Sequence, residues 1–177
     1  MDGTSGAGDT KVVSLRDYWA PQFIGEPVRV DEDFFWALDV LNTIAERQAV
    51  QIYVTGSFRK PDALLEDAIV EPARTSNHLV GHAIDMNLKS ASGFFESHDL
   101  QRDNLPSLPA EIRQLIRDIR AHPILRWGGD FTCEDPVHID DNLNQRDAAL
   151  WMAKFRVLHP VAYADGSMAS APPTTMG

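Results

Sequence analysis

The densest group of residues able to do chemistry is Ser76-Asn77-His78-Leu79-Val80-Gly81-His82-Ala83-Ile84-Asp85, in which a histidine and an aspartate stand seven positions apart. On a helix, His78 and Asp85 would return to one face after two turns. The second half alternates instead. Ile84, Met86 and Leu88 fall on one side and Ala83, Asp85 and Asn87 on the other, as in a strand with one buried face. The pattern predicts His78 in a loop or turn, a bend at Gly81, and Asp85 projecting from a strand. An imidazole and a carboxylate aimed at one point are what a zinc site needs. A second stretch, Glu134-Asp135-Pro136-Val137-His138-Ile139-Asp140, alternates in the same way, with Val137 and Ile139 apolar and His138 and Asp140 polar. His138 is the expected third ligand. Asp135, three residues before it, is a carboxylate placed to take a proton from water at the metal. Neither stretch offers a fourth ligand, and a zinc ion with three protein ligands and one open position is the catalytic kind.

These motifs in this order resemble a known family. Ser-x-His-x-x-Gly-x-Ala-x-Asp at 76–85, followed further along by Asp-x-x-His at 135–138, is similar to the zinc DD-peptidases. That family includes D-Ala-D-Ala carboxypeptidases and dipeptidases and the L-alanyl-D-glutamate endopeptidases of phage endolysins, and its fold is shared with Hedgehog signalling domains. Ser57-Phe58-Arg59 matches an upstream Ser-x-Arg of the family, and Trp127-Gly128-Gly129-Asp130 resembles the L-alanyl-D-glutamate branch. The resemblance runs from Val28 to Phe155. It departs at His82, a spacer position, and at Pro136, one place earlier than in the endolysins; neither departure removes a ligand.

The resemblance implies a zinc metallopeptidase that hydrolyses a bond in peptidoglycan stem peptides, with L-Ala–D-Glu endopeptidase activity as the first expectation. Removal of terminal D-Ala is the alternative, and a zinc-containing binding domain without turnover is the alternative of another class. His78, Asp85 and His138 would hold Zn2+, Asp135 would be the base, and Arg59 would offset charge on the carbonyl oxygen. Substrate contacts are expected from Ser57, Ser76 and Trp127. Each residue also has a plainer account. Asp135 could cap a turn before Pro136, Arg59 could be a surface cation, and Ser76 could cap its own turn. Trp127 could be a core residue above a tight Gly128-Gly129 turn. Asp140, on the face of His138, is either a hydrogen-bond acceptor behind a ligand or a solvated carboxylate. His82 shares the Ile84 face and so points away from the metal. Cys133 has no partner and reads as a packing residue.

Around these stretches, Asp31 is expected to cap a helix with Phe34, Leu38, Leu41 and Ala45 inward, and Gln51–Thr55 to form a strand that delivers Arg59 past its end. Val12–Val30, broken by Pro21, Gly25 and Pro27, reads as an irregular arm, and a short helix is expected around 63–68. Residues 91–107 read as a loop walling the groove. Pro109 opens a helix with Ile112, Leu115, Ile116 and Ile119 inward, and Ala148, Trp151, Met152 and Phe155 mark a last helix. The expected fold is α+β: a small, mainly antiparallel sheet with the zinc on one face and helices on the other. Residues 11–163 would form one domain, between disordered ends at 1–10 and 164–177.

The composition narrows the classes. The 177 residues carry 16 Lys+Arg against 26 Asp+Glu, a formal charge of −10, which is the wrong sign for a general nucleic-acid binder or for capture by an anionic membrane. No apolar run is long enough to cross a bilayer, and the first residues lack the basic and apolar parts of a signal peptide. A chain of this kind would reach the cell wall through a holin or a dedicated secretion system.

Overall fold

The computed structural model describes residues 12–61 and 75–164. The elements in order are β1 (Leu15–Tyr18), β2 (Phe23–Gly25), β3 (Val28–Asp31), α1 (Phe35–Arg47), β4 (Gln51–Gly56), β5 (Ala83–Ser90), β6 (Gly93–Phe95), α2 (Ala110–Ala121), β7 (Arg126–Trp127), β8 (His138–Asp140), α3 (Leu143–Arg146), α4 (Ala148–Leu158) and α5 (Pro160–Ala164). The fold is α+β. Strands run β2-β4-β5-β8-β7 across the main sheet, with β6 also paired to β5. Every pairing in it is antiparallel except β2 with β4. A two-stranded sheet of β1 and β3 stands apart.

The two faces of the main sheet differ as the alternation requires. Ile52 and Val54 of β4, Ile84, Met86 and Leu88 of β5, and Ile139 of β8 are buried with Phe34, Leu38, Leu41 and Ala45 before and along α1 and with Ile112, Leu115, Ile116 and Ile119 of α2. Burying this many large aliphatic side chains, at roughly 25 cal/mol per Å² of apolar surface, is what holds both helices to that face. The other face carries Asp85 and His138, directly paired across β5 and β8. A second, smaller core of Leu79, Val80, Leu143, Trp151 and Phe155 fastens α4 behind the turn that bears His78.

Three expectations change. The 12–30 arm is not irregular: it folds as three short strands, β1 paired with β3 across the arm and β2 with the more distant β4, pairings that local sequence does not reveal. Asp31 makes no capping bond, because its carboxylate accepts from the Ser14 N–H and the Lys154 ammonium. Residues 91–107 are not a bare loop but contain β6 and a 3-10 turn at Arg102–Ser107, pinned by the fully buried Leu100. The expected helix at 63–68 and the expected disordered ends lie outside the described residues, save Ala164, which closes α5.

Candidate metal centre

His78 sits in a 3-10 turn, Asn77–Val80, that Gly81 ends in the left-handed region at φ 73°. A side chain at Gly81 would also strike the backbone of Asp31 and the Leu15 side chain, so the bend requires glycine sterically as well as conformationally. The turn hands the chain to β5, which projects Asp85. The open corner above Asp85 depends on Gly56, whose Cβ position lies 3.2 Å from the Asp85 Oδ2. His138 arrives on β8 after a tight loop. The Gly128 carbonyl accepts from the Phe131 and Asp135 N–H groups, and the Asp135 carbonyl accepts from the His138 N–H. A Cβ at Gly128 would collide with the Asp135 carbonyl oxygen, so this close approach admits only glycine.

Three ligand atoms converge: one each from His78, Asp85 and His138 lies within 4.8 Å of the others. The His78 Nε2 is 3.1 Å from the Asp85 Oδ1 and 3.1 Å from the His138 Nδ1. The opposite ring nitrogens are both committed. The His78 Nδ1 donates to the Ser57 carbonyl at 2.7 Å, and the His138 Nε2 donates to the Asp140 Oδ2 at 2.9 Å. With those protons fixed outward, each ring turns a lone pair toward the other and toward a carboxylate. Two lone pairs and an anion at hydrogen-bond distance are mutually repulsive unless a cation lies among them, so the donor set fits a divalent metal. Two imidazoles and one carboxylate suit zinc.

The electrostatics show how strongly this cluster favours positive charge. Burial by itself would raise the Asp85 pKa, but the two imidazoles hold it well below the usual carboxylate range. Burial would lower that of His138, yet Asp140 and Asp85 push it up to about 9. Asp140 is itself kept far below its ordinary value despite burial, by His138 and Arg126. Asp135 is half-buried, and burial raises its pKa. Arg59 is half-buried near Asp85 and Asp135, and donates from Nη2 to the Ser76 Oγ at 3.2 Å.

Other expected residues land differently. The Ser76 hydroxyl caps no helix; it holds Arg59. The Ser57 hydroxyl accepts from the Arg29 N–H at 3.1 Å and donates to the Pro27 carbonyl, while the Ser57 carbonyl accepts from the His78 Nδ1. Trp127 is 2% exposed and donates from Nε1 to the Pro136 carbonyl at 2.7 Å, which makes it a core residue under the loop and removes it from the groove. Asp140 is no solvated carboxylate: it is buried, and accepts from His138, Arg126 and Asn77. His82 points away from the metal centre, into a buried cluster with Asp31 and Asp141. The motif reading missed Asn77 and Arg126. Alternation on β7 would have put Arg126 next to Asp140, but only the strand register pairs them.

Residues 70–141 match the family model described as D-alanyl-D-alanine carboxypeptidase. The segment that carries the site is therefore similar to the DD-peptidases. No curated protein matches the chain. The DD-peptidase segment includes His78, Asp85, Asp135 and His138 and stops short of Ser57 and Arg59, whose place at the site rests on geometry. The match supports a peptidase acting on peptidoglycan peptides. Among the described residues, no helix is long and apolar enough to cross a membrane.

Proposed function

We propose that the chain is a zinc-dependent endopeptidase of peptidoglycan stems that cuts the L-Ala–D-Glu bond, and that residues 11–163 form its single domain. The observation that carries this reading is the convergence of the His78, Asp85 and His138 ligand atoms beside Asp135 and Arg59. A zinc ion held by those three side chains supplies a Lewis acid that polarises the scissile carbonyl and makes water more acidic. Asp135 accepts the proton of the attacking water and returns it to the leaving amine. Half-burial suits both tasks, because it disfavours the charged form and brings the carboxylate nearer to proton exchange at neutral pH. Arg59, kept in place by Ser76, offers its guanidinium to the negative charge that develops on the carbonyl oxygen. Asp140, fixed by Arg126 and Asn77, keeps the His138 Nε2 protonated and its Nδ1 free as a ligand.

Support for the L-Ala–D-Glu bond comes from the Trp127-Gly128-Gly129-Asp130 sequence, in which Gly128 sets the path of the Asp135 loop and Asp130 pairs with Arg120. The test is digestion of purified sacculi with and without chelator, followed by mass spectrometry of the fragments. Release of stems with a new amino-terminal D-Glu, lost with chelator and regained with zinc, is the expected result. Release of D-Ala alone would make the chain a carboxypeptidase, and binding without new termini would make it a recognition domain.

A further inference from the structure

The face of the main sheet that bears Asp85 continues beyond the metal centre. Asn87 and Lys89 follow Asp85 on that face of β5. Tyr53 of β4 stands opposite Asn87, and Phe94 of β6 stands opposite Lys89. β4 and β6 flank β5 on either side, strands whose axes lie roughly 10 Å apart. Even so, the Tyr53 and Phe94 rings meet edge to face, with centroids 5.2 Å apart and planes at 89°. They form an arch over the middle strand. Both stay open to solvent, 38% and 42% exposed, on a sheet whose other face is fully covered. Aromatic side chains arranged only to stabilise the sheet would pair across adjacent strands. Two that reach over an intervening strand and remain wet leave apolar ring surface open beside the polar Asn87 and Lys89, the kind of surface on which a sugar ring stacks.

We propose that this arch is a subsite for the N-acylated hexosamine to which the stem peptide is joined. The proposal rests on the L-Ala–D-Glu reading and deepens it. At about 3.3 Å per residue, Asn87 and Lys89 lie roughly 7 and 13 Å along β5 from Asp85. In a glycopeptide cut after its first alanine, one residue of about 3.5 Å and a lactyl linker of similar length separate the scissile carbonyl from the sugar, which places the sugar at the arch. A bond four residues down the stem would carry the sugar past it.

The test compares hydrolysis of N-acetylmuramyl-L-alanyl-D-isoglutamine with that of N-acetyl-L-alanyl-D-isoglutamine, and in parallel measures calorimetric binding of N-acetylmuramyl-L-alanine and N-acetyl-L-alanine. The wild-type protein should favour the sugar-bearing member of each pair by about tenfold, the scale of one aromatic stacking contact. Phe94→Ala and Tyr53→Ala should bring both ratios close to one, and Phe94→Tyr should keep them. Equal ratios in wild type and Phe94→Ala, or a dimer that Phe94→Ala disperses, would overturn the proposal. Failure to cut either compound while the binding preference persists would overturn the L-Ala–D-Glu reading and leave the sugar subsite standing.

Discussion

At the residue scale, the division of labour among four aspartates follows from what each one faces. Asp85 faces the His78 and His138 imidazoles and Asp140 faces a ring N–H and a guanidinium, and despite burial these neighbours hold both carboxyls well below the usual carboxylate range. Asp135 is fixed through its backbone, and burial raises the pKa of its carboxyl, which suits the proposed exchange of protons. Asp135→Ala should therefore lower turnover by about 10²- to 10⁴-fold while zinc content, read by atomic emission, is unchanged. Loss of metal in that variant would make Asp135 a ligand and reassign its role. Asp140→Ala should do the reverse and weaken zinc affinity by about 10- to 100-fold in a chelator competition, because the His138 ring loses the acceptor that fixes its tautomer. The fourth aspartate, Asp31, does no chemistry in this scheme.

At the scale of elements, the site depends on two chain reversals and on one buried ammonium. Gly128→Ala should push the Asp135 loop off its position and cost several kcal/mol, about the upper range for a steric change in a packed interior, with activity lost at the same time. Chemical denaturation and turnover of the same preparation would check both effects. Lys154, fully buried on α4, is paired with Asp31 and Asp33 and donates to the Val12 carbonyl, so it ties α4 to the amino-terminal strands. Replacing Lys154 with Ala leaves Asp31 buried without its cation, and a cost of about 3–5 kcal/mol is expected in urea unfolding. A change below about 1 kcal/mol would mean that His82 and the Ser14 N–H suffice to hold the carboxylate.

For the whole molecule, pH and metal act on the same folded state by different routes. Burial would raise the Asp31 pKa, but hydrogen bonds from His82, Lys154 and Ser14 lower it to about 2. A carboxylate whose folded pKa lies below its unfolded one contributes stability that is complete above the unfolded value and lost as pH falls through the folded one. Unfolding free energy should thus decline from about pH 4 toward pH 2, and Asp31→Asn should flatten that slope. His82 is shifted the other way: burial lowers its pKa but Asp141 and Asp31 raise it overall, so its contribution is present in acid and lost as pH rises through its folded value. Zinc bound at the proposed site would add stability by mass action, about 4 kcal/mol at a thousandfold excess over Kd, and chelation should remove that increment in thermal unfolding.

The cluster of His78, Asp85 and His138 was legible in the sequence through local signals: alternation along 83–88 and 138–140, a glycine at the bend, and the order of the motifs. The same local rules placed α1, α2 and α4 and their inward residues, since helical and strand periods are properties of short windows. They could not place the arm, where β1 pairs with β3 and β2 with β4, nor seat Trp127 under its own loop. Tertiary structure alone decided which carboxylate stands behind His138, that Ser57 works through its carbonyl, and that Tyr53 and Phe94 meet across β5. The Ser57–His78 and Tyr53–Phe94 contacts join residues remote along the chain, and Asp140 is held behind His138 by the distant Arg126 and Asn77, because register between distant strands is fixed by packing of the whole core.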